Sequence, residues 1–273
     1  MQRTLWKYQG TGNDFIILDE RTRGRTPSAD EARSLCDRHF GVGADGILTV
    51  LPAATSDARA RMHITNADGS VPEMCGNGLR CVAAFLEDHD GKTGPGTFVV
   101  ETDAGPRRCH VQPPRDGERQ ISLGMGRVRF GADAGLPALE RTMLEGREVR
   151  ALSVSVGNPH LVMDVAPDVA QAERVGAEMV GSAGFPHGCN VEWVVREGDG
   201  LRVLVYERGV GITMACGTGA VASAFAAERW GWVKLDGEGV RVKVPGGTLR
   251  IARAADGEAL LTGPARKVFT ASI

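Results

Sequence analysis

Met74-Cys75-Gly76-Asn77-Gly78 and Ala215-Cys216-Gly217-Thr218-Gly219 are variants of one phrase, their cysteines 141 residues apart. Upstream of them, Gly12-Asn13-Asp14-Phe15-Ile16-Ile17-Leu18-Asp19 answers to Gly157-Asn158-Pro159-His160-Leu161-Val162-Met163-Asp164, with 145 residues between Asn13 and Asn158. Gly43-Ala44-Asp45 stands opposite Gly188-Cys189-Asn190 at the same 145-residue offset. Asn66 and Glu207 each lie nine residues before the cysteine of their copy. Ordered matches at a nearly constant offset mean one half-domain present twice, each copy carrying one Cys-Gly-x-Gly.

Around these phrases the chain alternates strand-like runs with a few helices. Leu79–Leu86 and Ala220–Ala227 are good helix formers, so each motif cysteine should sit at a helix N-terminus. A further helix should start at Ser28, whose hydroxyl caps it while Glu31 reaches back to complete a capping box. Another should begin near Asp168. Strands are expected at 15–18, 47–50, 61–64, 98–101, 152–156, 161–163, 191–194, 201–206 and 240–244. Leu201–Tyr206 shows the two-residue alternation of a half-buried strand. Strands this numerous and mostly consecutive predict an α+β fold with mainly antiparallel sheets rather than alternating βαβ units.

The 273 residues allow two domains of ordinary size, as the duplication requires. Lys plus Arg total 32 against 34 for Asp plus Glu, which argues against a nucleic-acid or membrane-surface partner. No apolar run approaches the ~18 residues that span a bilayer. Met1–Lys7 lacks the apolar stretch of a signal peptide, and the chain reads as cytoplasmic. Six cysteines are too few for a disulfide scaffold in a chain this long, and no C-x-x-C pair offers a zinc knuckle. Cys36, Cys81, Cys109 and Cys189 read as small buried hydrophobes. No metal is expected.

Cys75 and Cys216 read differently. At a helix N-terminus the free N–H groups and the dipole favour a thiolate, and the same N–H groups can hold a substrate carboxylate. Two thiols in equivalent settings suit the inversion of a carbon centre, in which one group removes a proton and its twin delivers another to the opposite face. A lone Cys nucleophile would want a His base, a part that His160 has the residue type to play; the second, equivalent cysteine disfavours it. Asn13, Asn66, Asn77, Asn158 and Asn190, with Glu207 and Arg208, add amide donors, a carboxylate and a guanidinium. Arg fits a carboxylate and Glu an ammonium, which is the chemistry of an amino-acid head group. Gly217–Ala222 reads G-x-G-x-x-A with Asp236 further on, but the nearest strand ends ten residues before the motif, against a dinucleotide site.

Taken together, 12–15, 41–46, 66–70, 74–81, 157–160, 207–209 and 215–219 closely resemble diaminopimelate epimerase, over nearly the whole chain. The resemblance implies interconversion of LL- and meso-diaminopimelate without cofactor, on the path to lysine and peptidoglycan precursors. It implies two pseudo-symmetric domains, each a sheet wrapped around a central helix, with the site at their interface. Residues 1–118 with 264–273 would form one domain and 119–263 the other. Cys75 and Cys216 would be the acid–base pair, with His160 and Glu207 tuning their pKa values. Asn13, Asn66, Asn158, Asn190, Glu207 and Arg208 would bind substrate, with the backbone N–H groups of Gly76, Asn77, Gly217 and Thr218 at its carboxylate. A homodimer is expected. Gly46, Ile212 and Phe269 stand where members of the family carry other residues. A proline racemase-like enzyme, or an amino-acid-binding or thiol-redox protein, remains the alternative; the crowd of Asn with Glu207 and Arg208 favours a substrate with two amino-acid heads.

Overall fold

Strands Thr4–Gly10 (β1) and Asn13–Asp19 (β2) are joined by only two residues. Both adopt left-handed backbone, Thr11 at φ 52° and Gly12 at φ 81°, as a type I′ hairpin connection demands. The computed structural model describes residues 3–72, 74–90, 95–181 and 184–273. Met1 and Gln2, which open the stretch read for a leader, lie outside these residues. The chain divides into two units: Met1–Gly124 with Thr262–Ile273, and Met125–Leu261.

In the first unit the hairpin is followed by helix Ala29–Cys36 (α1), strands Gly46–Leu51 (β3) and Ala58–Asn66 (β4), and helix Gly76–His89 (α2). Strands Gly96–Thr102 (β5), Gly105–Val111 (β6) and Glu118–Gly124 (β7) complete the first run. Each strand from β1 to β7 pairs with the next. The final strand, Ala259–Ser272 (β17), pairs with both β7 and β1, so within this unit the strands close into a ring. Closure leaves no bare edge. α2 packs against β1 through β7. Its residues Asn77–Glu87 are all buried, which explains why the stretch is apolar on almost every side.

The second unit repeats this order. After Arg129–Phe130 (β8) and Arg141–Leu144 (β9) come Arg147–Ser155 (β10), Pro159–Asp164 (β11) and helix Val169–Val180 (α3). Asn190–Glu197 (β12), Gly200–Glu207 (β13) and Gly211–Ile212 (β14) precede helix Gly217–Arg229 (α4), followed by Val240–Val244 (β15) and Gly247–Arg253 (β16). α4 lies against β10 to β13, β15 and β16, with Gly219–Ala227 fully buried.

Every expected helix and strand forms, with two differences. Pairing is mainly antiparallel, but β2–β3, β4–β5, β11–β12 and β13–β15 are parallel. The reason is the helices: α1, α2, α3 and α4 are each the crossover that a parallel pair requires. The second difference concerns the capping box. Ser28 accepts from the Glu31 N–H as expected. The Glu31 carboxylate, however, is held by Arg3 at 2.6 Å and Arg25 at 2.5 Å, charged donors that outcompete a backbone N–H. Strand β7 pairs within the first unit, so the structural division falls after Gly124, at the end of β7, where the sequence reading placed it at the strand's start. Among the described residues no helix is long and apolar enough to cross a membrane.

α3 covers the outer side of the second sheet, where Ala172, Val175 and Met179 meet Val191, Trp193 and Leu204. Gly176 sits over the Tyr206 ring, and a Cβ there would fall 2.6 Å from Cε2. Gly176→Ala gains about 1 kcal/mol of helix propensity but overpacks the contact at a cost of about 1–3 kcal/mol. The urea midpoint of this variant is expected to fall. In contrast, Gly181→Ala, with only a Glu178 carbonyl 3.7 Å from the added carbon, should leave it nearly unchanged.

Candidate active site

The two motif cysteines do the same structural task. Cys75 is the N-cap of α2 and its Sγ accepts from the Gly78 N–H at 3.4 Å. Cys216 is the N-cap of α4 and accepts from the Gly219 N–H at 3.3 Å. The second glycine of each motif also lets the helix approach the sheet. A Cβ on Gly78 would lie 2.8 Å from Leu48 of β3, and one on Gly219 would lie 2.9 Å from Glu192 of β12. Thus the Cys-Gly-x-Gly phrase is at once a cap and a close-packing device.

In the first unit the polar residues gather around the β1–β2 turn. Asn77 Nδ2 donates to Asn13 Oδ1 at 3.3 Å, and Asn13 in turn donates to the Asp45 carboxylate. Asp45 also accepts from the Asp14 N–H at 3.0 Å and pairs with Arg38 at 2.8 Å. Against the upward pull of burial, Arg38 and Lys7 hold the Asp14 carboxyl below its ordinary value. Asn66 donates to Ser70 Oγ at 2.9 Å, which fixes its amide. Arg80, not singled out by sequence, is wholly buried. Its Nε donates to the Pro264 carbonyl at 3.1 Å and its Nη2 to Thr11 Oγ1 at 2.9 Å, pinning the turn that carries Asn13 to the helix that carries Cys75. Burial pulls its guanidinium down to about 10.

In the second unit a chain of side chains leads to the sulfur. His160 Nδ1 lies 2.6 Å from Glu192 Oε1 and Nε2 lies 3.0 Å from Asn158 Oδ1. Asn158 Nδ2 donates to Thr218 Oγ1 at 3.3 Å, and that hydroxyl lies 3.5 Å from Cys216 Sγ. On another side the Glu207 carboxylate, which acts electrostatically on Cys216, accepts from Thr213 Oγ1 at 2.6 Å. Burial, reinforced by the Glu207 and Glu192 carboxylates, pushes the Cys216 thiol well above its ordinary value; Thr218 and the Gly219 N–H pull the other way. Burial also raises Glu207 and Glu192. Asn190 Oδ1 accepts from the Arg208 N–H at 2.9 Å, while the Arg208 guanidinium donates to the His187 carbonyl at 2.7 Å.

The two copies therefore differ where it matters chemically: Cys216 is buried, whereas Cys75 is half-buried. Each unit assembles its own expected residues, Cys75, Gly76, Asn77 and Asn13 in one, Cys216, Gly217, Thr218, Asn158, His160 and Glu207 in the other. Glu192 and Arg80 were missed by sequence reasoning. Their signal was present: each is a lone charge inside an apolar run of strand or helix, Val191–Val194 and Leu79–Leu86. Cys36, Cys81, Cys109 and Cys189 are buried free thiols. Among the described residues no three His, Cys, Asp or Glu side chains gather to hold a metal ion.

The fold is that of racemases and epimerases built from two related halves. A hydroxyproline epimerase from Agrobacterium vitis superposes over all of this chain and 91% of its own, with a TM-score of 0.70 at 18% identity. The structure of a predicted epimerase from Pseudomonas aeruginosa covers 99% of both chains, with a TM-score of 0.73 at 16% identity. Residues 5–131 and 152–268 match the sequence profile described as Diaminopimelate epimerase. Diaminopimelate epimerase 1 of Nostoc sp. PCC 7120 is 40% identical across 98% of both chains, and the enzyme of Xanthomonas euvesicatoria is 41% identical across 96% of this chain and 93% of its own. The chain belongs to the diaminopimelate epimerase family.

The geometry around Cys216 has a measurable sign. The Glu207 carboxylate raises the thiol's pKa, so Glu207→Gln should lower it. The rate of iodoacetamide labelling at Cys216, mapped by mass spectrometry against pH, is expected to shift to lower pH in the variant. No shift would show that Glu207 does not act on this thiol, and an upward one that it favours the thiolate instead.

Proposed function

We propose that this protein is an isomerase that interconverts LL- and meso-diaminopimelate by proton transfer between two cysteines. The observation that carries the reading is the matched pair of sulfurs, each capping a buried helix with the same Cys-Gly-x-Gly, in a member of this family. Removing the α-hydrogen of an amino acid leaves a carbanion-like centre whose charge spreads into the carboxylate. Helix N-terminal N–H groups are fixed dipoles suited to that charge and need no rearrangement as it develops. In this reading Gly76, Asn77, Gly217 and Thr218 offer those groups. One thiolate removes the α-proton and the opposite thiol delivers a proton to the other face; the reverse reaction exchanges their roles.

Asn13, Asn66, Asn158 and Asn190 supply amides to the two amino-acid ends of the substrate, with Arg208 for a carboxylate and Glu207 for an ammonium. His160 and Glu207 adjust the proton affinity of the sulfur. The two units serve as the two catalytic domains of a duplicated ancestor, and the reading takes the protein to work in the cytoplasm as a homodimer, with no cofactor. The asymmetric surroundings of the cysteines suit a substrate whose two faces are attacked by groups of different resting proton content.

The test is hydrogen exchange at the substrate α-carbon in heavy water, followed by mass spectrometry over a panel that includes diaminopimelate and proline. Incorporation into diaminopimelate alone is expected; binding or thiol-redox proteins exchange nothing there. Replacing either Cys75 or Cys216 by Ala is expected to lower epimerisation by at least about 10²-fold, the lower end for loss of a general acid or base. A single variant that keeps most of the activity would rule out the two-thiol scheme.

A further inference from the structure

Glu192 has no part in the scheme above, yet it is among the most completely buried ionisable groups in the chain. Alternation along β12 turns it, with Asn190 and Val194, away from the α3 side, where Val191 and Trp193 pack. It is therefore pressed onto the first turn of α4. One carboxyl oxygen meets His160 Nδ1; the other, also buried, has no hydrogen-bond partner. A buried acid with one orphan oxygen is costly unless it holds something in place.

What it holds follows from counting protons along the chain to Cys216. Asn158 turns its oxygen toward His160 and its nitrogen toward Thr218. An amide oxygen only accepts, so His160 must carry a proton on Nε2. The inner proton then lies between Nδ1 and Glu192 Oε1, and either allotment leaves the Glu192–His160 pair neutral overall. Thr218 Oγ1 accepts from Asn158, so its own proton is left to point at Cys216 Sγ, 3.5 Å away. With the Gly219 N–H this gives the sulfur two donors, an arrangement that serves a thiolate.

We propose that Glu192 is a positioning residue for the acid–base reaction: it keeps His160 protonated on Nε2, and so directs a relay of donors through Asn158 and Thr218 onto the Cys216 sulfur. The opposite polarity is the competing state. With the Asn158 amide turned over and Nε2 bare, Thr218 would donate backwards and Cys216 would hold its proton. Glu192 selects between the two by bringing a second proton to the pair: with that proton shared between Nδ1 and Oε1 the imidazole keeps its own on Nε2, whereas a bare carboxylate would draw the imidazole proton to Nδ1 and leave Nε2 bare. The inference deepens the reading of Cys216 as an acid–base group, but its readouts do not depend on turnover.

Two measurements test it. In the full-length protein labelled with 15N-histidine, long-range proton–nitrogen spectra should show His160 protonated at Nε2, the resonance being assigned by its loss in His160→Gln. A bare Nε2 would overturn the proposal without any change to Glu192. The second measurement is the pH profile of iodoacetamide labelling at Cys216 in Glu192→Gln and Glu192→Met. Glu207 is intact in both, and both put a neutral side chain in place of the carboxyl group. Gln can still donate to Nδ1 and hold the proton on Nε2; Met cannot. The profile of Glu192→Met is expected to lie about one unit above that of Glu192→Gln, a roughly tenfold slower reaction on the rising limb. Coincident profiles would mean that a donor to Nδ1 makes no difference at the sulfur, and the relay would be refuted. Should the profiles separate as stated while epimerisation is unaffected by Cys216→Ala, the relay stands and the catalytic reading of Cys216 falls.

Discussion

A helix buried on almost every side cannot leave the N–H groups of its first turn to water, and this constraint shapes each half of the protein. Ser, Thr, Asp and Asn are the usual answers, because their oxygens are strong acceptors held close to the turn. Here α1 and α3 on the periphery use Ser28 and Asp168. The two central helices use sulfur instead, a weak acceptor, and so carry a less well satisfied first turn into the interior. What is given up in capping strength places a titratable group at each turn. The polar dipole end of a buried helix, a titratable sulfur and a pair of glycines are delivered to one point, twice.

From that shared frame the two copies diverge by their second neighbours. Around Cys75 the polar groups form a charged cluster of Lys7, Asp14, Arg38 and Asp45 that holds Asn13. Around Cys216 they form a narrow chain with a carboxylic acid at its inner end. The first is an array of opposed charges at the half-buried sulfur's side of the fold; the second is a conduit through the core. Duplication supplied equivalent scaffolds, and the amino acids next to them made unequal thiols.

Much of this was legible in the chain. The repeated phrases located both cysteines, and the helix formers behind them gave α2 and α4 their positions, because local capping and periodicity are properties of neighbouring residues. The long strand β17 was not legible. It contains Gly263-Pro264, a pair that normally ends a strand, and only the tertiary contact from Arg80 to the Pro264 carbonyl shows why the chain runs on through it. The same holds for Glu31, whose carboxylate is claimed by Arg3 from 28 residues away. Glu192, an acid in an apolar strand, went unread because its partner His160 lies 32 residues back, across a parallel strand pair that spacing alone does not reveal.

The course of β17 bears on how the protein is made. The second unit is one continuous stretch, 125–261, whereas the first unit is completed by residues 262–273. Arg3 and Ile273 exchange backbone hydrogen bonds of 2.8 and 2.9 Å, so the earliest described residue is paired with the last. On a ribosome, domains usually fold in order as they emerge. This chain inverts that order: the earlier ring stays open along β1 and β7 until residues 262–273 have followed, by which time the whole of 125–261 is available to fold. Until β17 is made, β1 and β7 each keep one unpaired edge, so exposure to misassembly is concentrated in the earlier unit rather than the later one.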